Sequence, residues 1–556
     1  MLPSETKGEV YSSLETTLAI PLLQVAYQGS NAVYGKEVRL VVHLRLNVFL
    51  IKEDFRDFEA LMEEDVKFTA FPLKKALGVE GMLFMGSNRS NVPRWLPLLQ
   101  EAVDAKIEEI FNASTRAVLL IQRKGRIFAF PFGQGRHMLV KEAVVQDFGI
   151  RIAMNSAETD RLSSIDTVRV GDITVRQRTQ TSRKSPINAF DLDFNSSILN
   201  VLTAKPRNEE YGVKITGRQS VQFSKQVEFF DLPALCDELY SLYISDDYKK
   251  DFAWYDHIQY ITDPVLLEKL NQELFNTLQQ GAAEDFHLAP PEIIDHGRVE
   301  SFSFTKGGNR DADLLAEEYL TYFNERKRDL GSLDRHRVYA WEDEIPIYSW
   351  KLFDCIVFEA KIDNDVYVLT GGSWFKVDQD FSSKVDSYVE AIPNFGIELP
   401  ACNSGEYEKD YNKRVAHELD FLCLDHQLVR YRGGSIEVCD LLTPSNQLIH
   451  VKHWRSSSTL SHLFSQGKNS AEILLQDEEF LKAVLKKIHQ HGKDFLRLRD
   501  GRFVSSDFEI VYAVIYQEER PMHERLPFFS RLNMMNAAQS LKNLGFNVSK
   551  IRVGKG

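Results

Sequence analysis

Asp440 and Lys452 stand twelve positions apart, with Glu437 three residues before the acid and His450 two before the lysine. A carboxylate beside an ammonium group suits phosphate-ester hydrolysis. The carboxylate can hold Mg²⁺, which polarises the ester and lowers the pKa of a bound water. The lysine can orient that water or stabilise charge building on the phosphate. On this reading Asp440, Lys452, His450 and Gln466 are the catalytic candidates. Asp440, His450, Glu437 and Asp410 are the metal-ligand candidates, with Mg²⁺ or Mn²⁺ as the expected cofactor. Asp410 is preferred over its neighbours Glu406 and Glu408 because it adjoins Tyr411 and Asn412. Arg455 and Lys468 are the cations expected to meet nucleic-acid phosphates. The plainer reading is that Asp440 caps a turn, Lys452 is solvated and His450 is a hydrogen-bonded strand residue.

Positioning these side chains requires a sheet with helices around it. The helix GEYEKDYNKRVAHEL (405–419) leads into FLCLDHQLVRY, then SIEVCDLL (435–442), a turn at TPSNQ, and LIHVKHW (448–454). A helix over 460–474 follows, then the strand FEIVYAVIY (508–516), the helix FSRLNMMNAAQSLKNLG and a last strand, FNVSKIRV. Helix, three strands, helix, strand resembles the core of the PD-(D/E)xK restriction-endonuclease-like superfamily. Asp440 would end its second strand and Lys452 would lie in its third. Gln466, on the next helix, resembles the glutamine of the RecB-type branch. One position departs from that pattern: the residue two before the lysine is ordinarily Asp or Glu, and here it is His450. Histidine is a competent ligand for Mn²⁺ but a poor one for Mg²⁺. Either His450 replaces the acid, or Glu437 supplies the carboxylate, or metal chemistry is gone.

The whole chain reads as an α/β and α+β multidomain protein ending in this mixed-sheet domain. The expected divisions are an extension over 1–43, an α/β or α+β domain over 44–156 and a mixed, largely helical region over 157–290. An α+β domain over 291–400 and the nuclease-like domain over 401–556 complete it. TRAVLLIQ (115–122) and RIFAFPF (126–132) predict an antiparallel hairpin. Gly133, Gly135, Arg136 and His137 could form an anion-binding loop, although a glycine-permitted hairpin exit is the favoured reading. Gly371 and Gly372 are expected to turn a hairpin, and Trp350 and Trp374 to be core residues. Segment 169–184 holds five basic residues and one acid, and a solvated loop or strand edge accounts for it at least as well as phosphate binding does.

At 556 residues the chain exceeds what one core can organise. No run of eighteen apolar residues predicts a membrane span, and acids precede the apolar stretch near residue 20, which argues against a secretory signal. Five scattered cysteines without a CxxC pair suit a reducing cytoplasm, the expected location. The net charge of −13 is uneven. Residues 401–556 carry 22 Lys+Arg against 19 Asp+Glu, and residues 1–400 carry 45 against 61. If any part meets a polyanion it is the tail.

NVPRWLPLL (91–99), STRAVLLI (114–121), RIFAFPFGQGRHML (126–139) and DFGIRIAMNS (147–156) resemble a sporadically distributed, largely uncharacterised prokaryotic family of this length. LSSIDT, VYVLTGGSWFKVD, SIEVCDLLT, IHVKHW and LSHLFSQG continue the likeness in the same order. The resemblance implies a mobile-element or anti-phage defence context and makes the histidine of HVK the family's own state. The expected function is a metal-dependent nuclease cleaving foreign DNA, with RNA second; a phage-derived trigger and a homo-oligomer are the further partners considered. The alternative is a non-catalytic protein using a degenerate nuclease fold to bind nucleic acid or a partner.

Overall fold

The computed structural model describes residues 42–75, 78–86, 89–91, 112–170, 174–324, 331–432, 434–454, 457–492 and 495–556. The extension expected over 1–43 lies almost wholly outside them, as does Arg455.

Arg116–Arg123 and Arg126–Gly133 pair as the hairpin that their apolar runs predict. Lys124 and Gly125 turn it with φ of 51° and 74°, a mirror-image turn whose twist matches right-twisted strands. The hairpin belongs to a ten-stranded sheet with Phe68–Pro72 at one edge and Val175–Ser185 at the other. Val42–Leu50 pairs with Arg126–Gly133 on one side and Val221–Val227 on the other. Ala157–Arg169 and Ser197–Pro206 extend the same sheet, so residues on both sides of the boundary expected near 156 build one sheet. The region expected to be largely helical is mostly strand as far as Val227, and then holds helices Leu232–Ile244 and Pro264–Gln280. The edge position explains the difference. Val175–Ser185 is polar and mostly exposed, so it lacks the apolar alternation by which strands are recognised.

A five-stranded sheet follows, ordered Ile258–Tyr260, Ser373–Val377, Asp365–Thr370, Ile356–Ile362, Phe286–Leu288. Gly371 and Gly372 turn its central hairpin with φ of 59° and 73°. A three-stranded sheet, Ser301–Ser303, Arg337–Glu342 and Ile345–Lys351, lies beside it in sequence. Trp350 and Trp374 are buried, and their indole N–H groups donate to Glu292 (2.7 Å) and Asn271 (2.8 Å). Among the described residues no helix is long and apolar enough to cross a membrane.

The carboxy-terminal unit is a mixed five-stranded sheet between helices. Its strands are β1 (Leu422–Cys423), β2 (Leu441–Leu442), β3 (Gln447–His453), β4 (Glu509–Tyr516) and β5 (Asn547–Gly554), side by side in chain order. β1, β2 and β3 run antiparallel in turn, while β4 and β5 are parallel to β3. Parallel pairing needs a long crossover, which α2 (Ser457–Gln476) and α3 (Glu478–Gln490) provide before β4, and α4 (Phe528–Asn543) before β5. β4 is a continuous apolar run because it is buried on both faces. Tyr411 and Val415 of α1 (Glu408–Glu418) pack on Ile449, Val451, Val511 and Ala513 from one side. Leu463, Phe464 and Leu532 pack on Leu448, Ile510 and Tyr512 from the other.

Candidate metal centre

The ladder between β2 and β3 breaks at Asp440. Leu441 pairs with Ile449, and the Asp440 N–H donates to the same Ile449 carbonyl at 3.0 Å. Two residues facing one make a bulge, which re-aims the side chain at that point. The Asp440 carboxylate takes the Val451 N–H at 2.7 Å. One residue further, Lys452 Nζ donates to Glu408 Oε1 at 2.7 Å, while Glu408 Oε2 accepts the His453 N–H at 3.1 Å. Glu408 is the first residue of α1, so one carboxylate ties that helix to the end of β3 and to the lysine.

Burial, above all, raises the Asp440 carboxyl well above the usual carboxylate range. Glu437, Glu408 and Asp425 push the same way, and the Val451 N–H opposes them. Four acids therefore crowd one end of the sheet with Lys452 as the cation in contact. Asp425, His426 and Glu437 offer ligand atoms that all lie within 4.8 Å of one another. His426 holds a left-handed φ of 57°, uncommon for a non-glycine residue, and its N–H donates to Glu437 Oε1. Gln466 Nε2 donates to Glu437 Oε2 at 2.7 Å. Asn412 Nδ2 donates to the buried Asp425 carboxylate at 3.3 Å, and Asn412 Oδ1 is buried without a partner.

A close approach places Gln466. A Cβ on Gly467 would stand 2.7 Å from Tyr512 Cε1, so α2 reaches β4 there only because residue 467 is glycine. The Tyr512 hydroxyl donates to the Phe464 carbonyl at 3.1 Å across the same contact.

The donors around Asp440 are chiefly carboxylate oxygens, with an orphaned amide oxygen beside Asp425. That set fits a hard divalent cation such as Mg²⁺ or Mn²⁺, which would relieve the mutual repulsion of the acids. The structure thus gathers Asp440, Glu437, Lys452 and Gln466, and adds Glu408, Asp425 and His426, which the sequence did not single out as site residues. Glu408 was one of three helix acids with nothing local to rank it. Asp425 and His426 sit in a loop without periodicity, and the short hairpin Val429–Tyr431/Gly434–Ile436 that follows returns the chain to them at Glu437.

The other candidates lie elsewhere. Asp410 is exposed on α1, and Glu408 is the acid of that helix that meets Lys452. Glu406 is held by Arg414 at 2.8 Å, which pushes its carboxyl down to about 2. His450 is fully buried against Tyr512, with both ring nitrogens lacking a hydrogen-bond partner. Burial pushes its imidazole down to about 3, and, like Asp440, it lies outside the group of close ligand atoms formed by Asp425, His426 and Glu437. Lys468 pairs with Glu472 and faces Thr167, Arg169 and Asp193 of the ten-stranded sheet unit. Arg178 of the basic segment is salt-bridged to Asp166 at 2.6 Å.

Comparison with curated proteins and with solved structures gives no match. The model of a family of unknown function, DUF6119, matches residues 46–554, and the chain belongs to that family.

Proposed function

We propose that the carboxy-terminal unit is a divalent-metal-dependent nuclease of PD-(D/E)xK type, cleaving foreign DNA in preference to RNA in prokaryotic defence. The observation that carries this reading is the gathering of Asp440, Glu437, Glu408 and Asp425 beside Lys452 at one end of a mixed sheet. The helix–three strands–helix–strand order is in keeping with it. Asp425, His426 and Glu437, whose ligand atoms lie together, would hold the ion with the Asp440 carboxyl nearby, and the ion supplies Lewis-acid polarisation of the phosphate and a more acidic water. Gln466 and the His426 N–H fix both Glu437 oxygens, so that side chain is oriented before a ligand arrives. Lys452 would stabilise the phosphate's developing charge once a substrate competes for its pairing with Glu408. The acidic first 400 residues would keep polyanions away until a trigger acts.

A second reading has its own observation. Lys452 is already neutralised by Glu408 and one Asp440 oxygen by the Val451 N–H, as suits a binding module without chemistry. Purified full-length protein incubated with plasmid, linear duplex and RNA separates the two. Cleavage with Mg²⁺ or Mn²⁺, absent with chelator and lost in Asp440→Asn and Lys452→Ala, supports the nuclease. Binding without cleavage in every metal, or full activity in Asp440→Asn, supports the module.

A further inference from the structure

A second polar cavity, about 390 Å³, opens where the Asp365–Thr370/Ser373–Val377 hairpin meets the ten-stranded sheet. None of the candidate metal-centre residues lines it. In a region of strongly negative net charge its lining holds Arg136, Arg176 and Arg218 and no Asp or Glu. Two of these arginines are held in place by backbone. Arg176 Nε donates to the Pro290 carbonyl at 2.7 Å, and Arg136 Nη1 to the Leu139 carbonyl at 3.1 Å. Among the described residues none of the three is salt-bridged to a carboxylate. Half-buried guanidinium groups without a paired carboxylate are costly to keep, and burial holds both Arg136 and Arg176 below the usual arginine range despite the more distant Glu63 and Glu142 for Arg136 and Glu292 for Arg176. Such preorganised forks match a phosphate.

The rest of the wall suits a ring and its polar edge. Phe49, Tyr260 and Phe375 line the cavity, with Tyr260 and Phe375 4.4 Å apart between ring centroids. Asn47 Oδ1 and Thr370 Oγ1 are buried without a hydrogen-bond partner, and both residues line the cavity. Buried polar atoms in native proteins are nearly always satisfied, and two orphans in residues of one wall mark that wall as polar. Two of the loops singled out in sequence build the wall. Gly135 packs where a Cβ would come 2.0 Å from the Ala117 carbonyl, which lets the following Arg136 turn inward. At Gly371 a Cβ would stand 3.6 Å from Arg176 Nη2.

We propose that this cavity binds a nucleoside phosphate, its phosphate on Arg136, Arg176 and Arg218 and its base between the aromatic side chains and the amide edge. The volume lies in the range of small-ligand sites and fits a mononucleotide.

The test is calorimetric titration and thermal shift of the full chain, in chelator, against nucleoside mono- and diphosphates, inorganic phosphate and pyrophosphate. At least one nucleotide is expected to bind with Kd below about 100 μM and about tenfold or more tighter than pyrophosphate. Arg136→Gln and Arg176→Gln should each weaken it by about tenfold or more, while the unliganded Tm stays level or rises, because an uncompensated charge has gone. Thr370→Val, nearly isosteric, should weaken it with the Tm unchanged. Failure of every nucleotide to bind below about 1 mM, equal binding by both arginine variants, or binding only by single-stranded oligonucleotides would overturn the site. No cleavage is read, so failure here leaves the nuclease reading standing.

Discussion

Asp440 and His450 carry opposite electrostatic problems one strand apart. The Asp440 carboxyl is raised by burial and by three neighbouring acids. Its folded state therefore binds a proton that the unfolded chain has released above about pH 4, and metal-free stability falls as pH rises from there towards the folded pKa. Asp440→Asn should flatten that fall, raise the metal-free Tm at neutral pH, and abolish the Tm increase given by Mn²⁺ or Mg²⁺. A parallel set of melts across pH 4–8, with and without ion, reads all three. His450 is the mirror case, with an imidazole pushed down to about 3. The unfolded chain takes up a proton below about pH 6.5 that the fold refuses, costing about 1.4 kcal/mol per pH unit between those values. His450→Leu should thus stabilise the protein in acid and leave the metal response intact, whereas Glu437→Gln should remove that response. The reverse ranking, with His450→Leu losing Mn²⁺ binding, would return the histidine to the ligand set.

At the scale of elements, the site depends on how closely α2 lies on β4. Gly467→Ala places a methyl against the Tyr512 ring, whose hydroxyl is anchored to the Phe464 carbonyl, so neither partner is free to yield. Overpacking of this kind costs about 1–3 kcal/mol. Denaturant unfolding should show that loss, and the metal-induced Tm shift should shrink as Gln466 moves away from Glu437. An unchanged midpoint would mean the helix slides freely. α4 is positioned from much further away. The partly buried Glu359 of the Ile356–Ile362 strand accepts the N–H groups of Phe528 (2.6 Å) and Phe529 (3.3 Å) at the start of that helix. A carboxylate at a helix N-terminus satisfies donors that the helix itself cannot.

Over the whole molecule, the division drawn near residue 401 does not close a core. Val357, Val366, Phe375, Phe381 and Val385 belong to the same apolar cluster as Leu463, Tyr512, Leu532 and Val548. The backbone of Lys550 also donates to Pro393 and accepts from Phe395, and Phe381 packs edge-on against Phe528. A fragment of residues 401–556 should therefore lack near-ultraviolet circular dichroism and bind a hydrophobic dye, as a loosely packed state does. The full chain should show the opposite. A cooperative, dye-free fragment would show that the shared cluster is dispensable.

The local elements were legible because their cause is local. The Lys124–Gly125 hairpin, the Gly371–Gly372 turn and the buried run of β4 follow from turn chemistry and apolar period. The strand expected over 435–442, by contrast, splits into Gly434–Ile436, in a separate two-stranded sheet, and β2, with Asp440 before β2 and not at its end. Asp440, Glu437, Lys452 and Gln466 were legible as candidates for a related reason, since their spacing follows from the order of helices and strands. What lay beyond the sequence is set by pairing between distant segments. Glu408 rather than Asp410 meets Lys452 because the helix begins at the end of β3, and Asp425 joins Glu437 across the base of a short polar hairpin, Val429–Tyr431/Gly434–Ile436. His450 could not be read as an orphaned core residue, since burial depends on what packs over a side chain. The polar strand Val175–Ser185 is a strand because Ala157–Arg169 offers it an edge. Only tertiary structure determines which acids share a site, because Coulomb energy depends on separation through space.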